Sequence, residues 1–491
     1  MSNGGAGANT VESYVPPRMD RLPFSRWHVL VIAALGITWI LDGLEVTIVG
    51  IVASVLTDPV SGLGLTSAQI GYAAAIYIAG ACLGALFFSY LTDMFGRKKL
   101  FLITLVVYLV ATVATAFSFN FWFFAICRFF TGAGIGGEYS AIYSAVDELV
   151  PARIRGQVAL FISGSYWVGT MAGSALSIVL LNPDIIGQFW GWRIAFGLGG
   201  ILGIGLLLIR RYLPESPRWL ATHGRNDEAE RIVGKIEEDV KEYKNLEELP
   251  PLQEDPITIE QRGSIGFGLI LRAMFQMYPK RTVLGLALMG SQAFMYNAIF
   301  FTYSLILSDF YGVPSGQIGY YIFPFAIGNV LGPWLLGPLF DRVGRVQMIS
   351  GCYITAGVLM ALTGFLFAEG VLSAITQTIA WTVIFFFASA AASAAYLTVS
   401  EVFPMEIRAM AIALFYAIGT ALGGITGPII FGQLIGTGDA GRLLIGYLIA
   451  AGVMIGAAVV ELVLGVRAEQ RSLESIATPL TAIKEETTGA V

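Results

Sequence analysis

Two carboxylates, Asp42 and Glu45, interrupt the first long apolar stretch of this 491-residue chain, which runs from Trp27 to Val55. A carboxylate near the middle of a bilayer is costly, so it needs a partner, a proton or a wet cavity. A spacing of three puts both acids on one helix face, where they can line a single cavity. The chemistry such a face offers is proton carriage beside the path of a polar or charged solute. Other chemistries find little support. The two histidines, His28 and His223, fall at a helix entrance and in a polar stretch, and Cys82, Cys127 and Cys352 lie singly in apolar runs. That leaves no nucleophile–base pair, no metal-ligand spacing and no disulfide framework, so neither enzymatic activity, a metal nor a cofactor is expected.

The elements that must position these acids are membrane helices. The chain is 56% hydrophobic and 13% charged, about half the charge of a soluble protein, and its net charge of -5 suggests no nucleic-acid partner. Apolar windows of about 20 residues, enough to span a hydrocarbon core, predict twelve spans. They fall near 27–55, 69–92, 100–118, 121–146, 157–181, 192–212, 282–308, 317–340, 347–368, 373–399, 410–435 and 442–465. The expected class is therefore an all-α membrane protein of two pseudo-symmetric six-helix bundles, residues 27–212 and 281–466. A tail (1–26), a central loop with short helices (213–280) and a second tail (467–491) complete the chain. The charge run RNDEAERIVGKIEEDVKEYK in the central loop reads as a solvated helix face. The first residues lack the basic-then-apolar layout of a cleaved signal peptide.

Arg and Lys crowd the loops after spans two, four, eight and ten (Arg97, Lys98, Lys99, Arg153, Arg155, Arg342, Arg345, Arg408), which predicts cytoplasmic termini, as an even span count requires. The two halves also repeat. D93-M-F-G-R97 is answered by D341-R-V-G-R345, and E148-L-V-P-A-R-I-R155 by E401-V-F-P-M-E-I-R408.

At these residues the chain resembles the major facilitator superfamily, within it the sugar porters and their metabolite:proton symporter relatives. D93-M-F-G-R97-K98-K99 is similar to the first cytoplasmic signature and R128-F-F-T-G132-A-G-I-G136-G to the fourth-helix signature. P214-E-S-P-R218-W-L, G191-W-R193 and E469-Q-R-S-L473-E474 resemble sugar-porter sequences. The resemblance implies a secondary active transporter of the plasma membrane, expected as a monomer, that moves a small solute with protons by alternating access. Asp93, Arg97, Glu148 and Arg155, with Asp341, Arg345, Glu401 and Arg408, are then implied to form a cytoplasmic gate of salt bridges. The seventh-helix segment S291-Q292-A-F-M-Y-N297 keeps one of two glutamines of the hexose pattern. Thr170 and Tyr396 occupy the positions of its fifth-helix glutamine and tenth-helix tryptophan, whereas L41-D42-G-L-E45 resembles the metabolite symporters.

Depth arithmetic brings one cation to the acids. Glu45 lies about 27 Å from the inner end of span one, and Arg128 roughly 10 Å below the outer surface on span four, at 1.5 Å per residue. The family packs helices one and four side by side. Glu45 or Asp42 is thus the candidate proton-coupling acid and Arg128 its partner; a static buried ion pair is the plainer reading. Glu138, deeper on span four, either faces the cavity or pairs near the inner surface. Solute contacts are expected from Glu138, Tyr166, Trp167, Thr170, Gln292, Tyr296, Asn297, Tyr303 and Tyr396, because buried amides and hydroxyls need partners and aromatic rings offer flat walls. An uncoupled facilitator and a non-transporting sensor of the same fold are the rival readings.

Overall fold

The structure, a computed structural model, describes residues 10–478 apart from 57–58, 66, 181–184, 187, 211–213, 253–255, 261–266, 301, 314–317 and 405–406. Twelve long helices carry it: α1 Arg26–Leu56, α2 Ser67–Phe95, α3 Arg97–Ala116, α4 Phe121–Leu149, α5 Arg155–Leu180 and α6 Gln188–Arg210, then α7 Pro279–Phe300, α8 Ile318–Arg342, α9 Arg345–Ala368, α10 Ala374–Glu401, α11 Arg408–Ile435 and α12 Ala440–Leu464. Among the described residues, α1, α3 and α7 to α12 are long and apolar enough to cross a membrane, and α2 contributes a shorter apolar stretch, Ile76–Thr92. The seventh span differs from expectation. It is not continuous over 282–308, since α7 ends at Phe300 and a separate helix covers Tyr303–Tyr311. At the break, the Thr302 hydroxyl bonds back to the Ala298 carbonyl at 2.5 Å, the kind of local bond that competes with the helix ladder.

Local sequence explains where several helices begin. The Asn120 side chain accepts from the Phe123 N–H at 2.8 Å to start α4, and Ser373 with Thr376 forms a reciprocal cap on α10. The turn from α2 to α3 is the single residue Gly96 at φ 99°, and that from α8 to α9 is Val343 and Gly344, the glycine at φ 123°. Both values lie where a side chain would strain the backbone.

Packing repeats as the sequence does. In the first half α1 lies on α5, α2 on α4, and α3 on α4 and α6; in the second, α7 lies on α11, α8 on α10, and α9 on α10 and α12. The halves meet along α5 with α8 and α2 with α11. The α1–α5 contact leaves no room for a side chain: a Cβ on Gly43 would sit 1.9 Å from the Tyr166 carbonyl oxygen, and one on Gly169 1.8 Å from that of Ile40. Small residues at such crossings let backbones approach within membranes.

Outside the bundle, a helix over Val15–Asp20, the helices Pro217–Thr222 and Asn226–Lys244 and the short helix Leu473–Ile476 gather on one side, here called the terminal face. Strand Thr10–Ser13 pairs antiparallel with Ile257–Glu260, Thr10 opposite Glu260. Helix Asn226–Lys244 buries Ala229, Val233, Ile236 and Val240, a spacing that makes one apolar stripe. The flank of that stripe is not simply solvated: Glu230 and Glu237 pair with Arg18, and Glu237 also with Arg21.

Candidate functional site

Glu45 on α1 and Arg128 on α4 meet within the first half. Glu45 Oε1 lies 2.6 Å from Arg128 Nη1, with 2% of each side chain exposed. The Thr112 hydroxyl donates to Glu45 Oε2 at 3.3 Å. Above the guanidinium lie the rings of Tyr77 and Phe196, 4.8 and 5.7 Å from its carbon, so the cation is held by charge and by π-faces. Asp42 is buried one turn away on the same helix. Glu138 is buried on α4 beside Tyr108. The three acids therefore sit on two adjoining helix faces of one half.

The centre between the halves is aromatic. Tyr139 and Tyr143 of α4 stack on Tyr416 and Tyr396 of the second half, with centroids 4.8 Å apart for Tyr139–Tyr416 and 5.1 Å for Tyr143–Tyr396. The last two rings are within 5° of parallel. Trp39 stands edge-on to Tyr139, Tyr143 and Tyr166. Trp167 of α5 stacks on Tyr296 of α7 at 5.8 Å and meets Phe300 and Phe325 edge-on.

The polar side chains expected to touch solute are largely engaged by the protein. Asn297 donates to its own helix at the Ala293 carbonyl, 2.7 Å away. Tyr296 donates to Asn329 Oδ1 at 2.7 Å. Tyr303 donates to the Tyr321 carbonyl at 2.8 Å, with Thr378 Oγ1 3.2 Å off. Thr170 is buried against the Gly43 crossing. Gln292, half-buried, lies beside the Tyr396 hydroxyl. Tyr166, Trp167 and Tyr396 face the centre; Asn297 and Tyr303 face their own scaffold.

A second set of charges closes the terminal face. Arg155 reaches Glu401 at 3.9 Å, and Arg408 reaches Asp147 at 3.8 Å and Glu148 at 3.6 Å, each from one half to the other. Asp341 of the second half accepts from the backbone N–H groups of Gly156 and Gln157, at 3.2 and 2.6 Å, at the start of α5. Within each half the arginines are fixed further, Arg97 to Glu148 at 3.2 Å and Arg345 to Asp341 and Glu401 at 2.8 and 3.1 Å. The side chain of Asp93 lies outside the described residues.

Several members of this set escaped the sequence reading. Glu215 accepts from the N–H groups of Arg97 and Lys98 at 2.8 and 3.2 Å, capping α3, and Glu469 accepts from that of Arg345 at 3.4 Å, the matching place on α9. Burial pushes the Glu215 carboxyl above its ordinary range despite these bonds. Asp147 stands where the repeat has Ser400, a difference the sequence carries openly. Asp20, Arg218 and Glu474 form a chain of pairs at 2.9 and 2.8 Å.

Two six-helix repeats arranged in this way recur in solved structures of membrane transporters. The structure of the proton:xylose symporter XylE bound to 6-bromo-6-deoxy-D-glucose superposes with a TM-score of 0.75, at 18% identity, over 91% of this chain and 98% of that one. The human organic anion transporter MFSD10 superposes at 0.63, with 15% identity, over 88% and 99%. In sequence, residues 33–479 match the family described as "Sugar (and other) transporter", and the chain belongs to it, a family of transporters within the major facilitator superfamily. Among curated relatives, the niacin transporter NiaP of Acinetobacter baylyi is 28% identical over 94% of this chain and 98% of its own length. The D-xylose transporter of Levilactobacillus brevis is 27% identical over 81% and 85%.

Proposed function

We propose that this transporter is a proton-coupled symporter of a small organic acid with a flat ring, working by alternating access across the plasma membrane. The observation that carries the reading is the contact of Glu45 and Arg128 in a site almost closed to solvent. In such a site the guanidinium and a proton compete for one carboxylate, and a solute carboxylate competes with Glu45 for the guanidinium. A solute anion that engages Arg128 releases Glu45 to take a proton, so the two cargoes arrive together. Asp42, one turn away, is the second candidate for the proton, and Glu138 faces the same region. The terminal face is then the cytoplasmic one. Arg97, Glu148, Arg155, Asp341, Arg345, Glu401 and Arg408 seal it, and the protein acts as a monomer with 1–26, 213–280 and 467–491 in the cytoplasm.

A flat ring is favoured over a sugar by the polar groups. A sugar needs a ring of amides and hydroxyls, and Asn297, Tyr296 and Tyr303 already have protein partners. What faces the centre is mostly ring surface, from Trp39, Tyr139, Tyr143, Tyr166, Tyr396 and Tyr416, with Gln292 as its one amide beside Tyr396, and such rings stack well on an aromatic acid. The name of the Acinetobacter baylyi relative points the same way. The xylose transporters among the relatives keep a second reading in view, an uncoupled sugar or polyol facilitator. A thermal-shift screen of aromatic monocarboxylates, sugars and polyols, followed by uptake into proteoliposomes with an imposed pH gradient, separates them. Stabilisation by an aromatic acid and acid-driven accumulation support the proposal; stabilisation by sugars alone, with uptake indifferent to the gradient, overturns it.

A further inference from the structure

The closed terminal face has a member that belongs to neither bundle. Asp20 ends the short helix Val15–Asp20, and its carboxylate is a junction. One oxygen accepts from the Ala152 N–H at 3.3 Å and faces Arg155 Nη2 at 3.4 Å; the other faces Arg218 Nη2 at 2.9 Å. Arg155 and Arg218 are both buried, with 0% and 1% of their side chains exposed, so each depends on its anionic partners. Both lead on to the second half. Arg155 reaches Glu401 at 3.9 Å and the Arg471 carbonyl at 3.3 Å, while Arg218 binds Glu474, downstream of α12, at 2.8 Å.

The helix that carries Asp20 is itself tied down. Val15, Met19 and Leu22 are buried, and the Leu22 carbonyl accepts from Arg153 at 2.9 Å. Arg18 and Arg21 both hold Glu237, each at 2.6 Å, and strand Thr10–Ser13 is paired with Ile257–Glu260. The tail is therefore a strap between the central segment and the start of α5.

We propose that the N-terminal strap, through Asp20, is a third component of the gate at the terminal face and a positioning element for Arg155 and Arg218. Separation of the halves takes Glu474 and Glu401 away from the tail, so the chain Asp20–Arg218–Glu474 exists in the closed arrangement and breaks on opening. A contact made in one state and lost in the other shifts the balance between them.

Spin labels at Lys99 and Arg342, exposed positions on opposite halves of the terminal face, placed in the full chain with the three cysteines replaced, read that balance. Asp20→Asn should raise the population at the longer distance about threefold or more, the effect of losing a charge-assisted hydrogen bond. Asp20→Glu should restore the original distribution. Should Asp20→Asn fail to purify folded, the double variant Arg18→Ala/Arg21→Ala loosens the anchor while leaving Asp20, Arg155 and Arg218 in place, and should move the same population the same way. An unchanged distribution in a folded variant overturns the proposal, and so does a lowered melting temperature with an unchanged distribution, because that is what a merely structural tail gives.

Discussion

The Glu45–Arg128 site and the terminal face both hold buried arginine against carboxylate, yet the two arrangements cannot do the same work. Glu45 and Arg128 belong to one half, on α1 and α4. When two rigid halves rock, they travel together, and nothing in that motion parts them. Only a proton, a solute anion or water can change the pair. Arg155–Glu401, Arg408–Glu148 and the Asp341 contacts to α5 join opposite halves, so the same motion must break them. Burial is alike in both places; what differs is whether the partners share a rigid body. A chemical signal can be stored in the first arrangement and a conformational one in the second.

The sharpest way to break this comparison is to remove the cation beside Glu45. Arg128→Ala leaves Glu45 buried without its guanidinium, which typically costs about 3–5 kcal/mol. Thermal unfolding of the purified protein should fall markedly, with uptake lost, while Arg128→Lys should recover part of the melting temperature. At the terminal face, Glu401→Gln strips one partner from both Arg345 and Arg155. A loss of about 1–3 kcal/mol in the closed state should appear as a population of wider inter-half distances, with a smaller fall in unfolding temperature from the Arg345 pair within the second half. If both substitutions lowered stability equally and neither altered inter-half distances, the distinction between the two regions would fail.

A smaller effect is expected between the two charged layers. Tyr396→Ala removes one face of the Tyr143–Tyr396 stack, about 0.5–1.5 kcal/mol, and should weaken binding of an aromatic acid roughly three- to tenfold in calorimetric titration. Smallest of all is the response of the strap to acid. Although burial pushes it up, hydrogen bonds from Arg18 and Arg21 hold the Glu237 carboxyl below its ordinary range. Its contribution is thus complete above the unfolded glutamate value of about 4.3 and is lost as pH falls through the depressed folded value. Protection factors for amide exchange over residues 10–22, corrected for the intrinsic rate at each pH, should fall below that pH and stay flat above it.

The Glu45–Arg128 pair was legible in the sequence for a physical reason: charges inside apolar spans are scarce, and a fixed rise per residue turns sequence position into depth. The same rarity made Asp42 and Glu138 visible. The terminal face was half legible. The internal repeat exposed Arg155, Glu401 and Arg408, but Asp20, Arg218 and Glu474 lie in polar segments where every residue looks solvent-bound, and only the tertiary fold shows three such segments converging. The aromatic centre was the least legible. Tyr139, Tyr143 and Tyr416 sit among many rings with no periodicity to separate a central stack from packing, and sequence does not register the bond of Asn297 to its own helix. The break after Phe300 was hidden as well, since hydropathy does not register a helix interrupted within an apolar run.

The central claim is that the Glu45 carboxylate is where proton and solute are coupled, and one substitution addresses it. Glu45→Gln keeps shape and hydrogen bonding but cannot release a proton. In proteoliposomes loaded with solute, the variant should exchange internal for external solute at a rate close to that of the parent while losing accumulation against a gradient when the outside is made acidic. Acid-driven accumulation that survives the substitution undiminished, with exchange intact, would contradict the account.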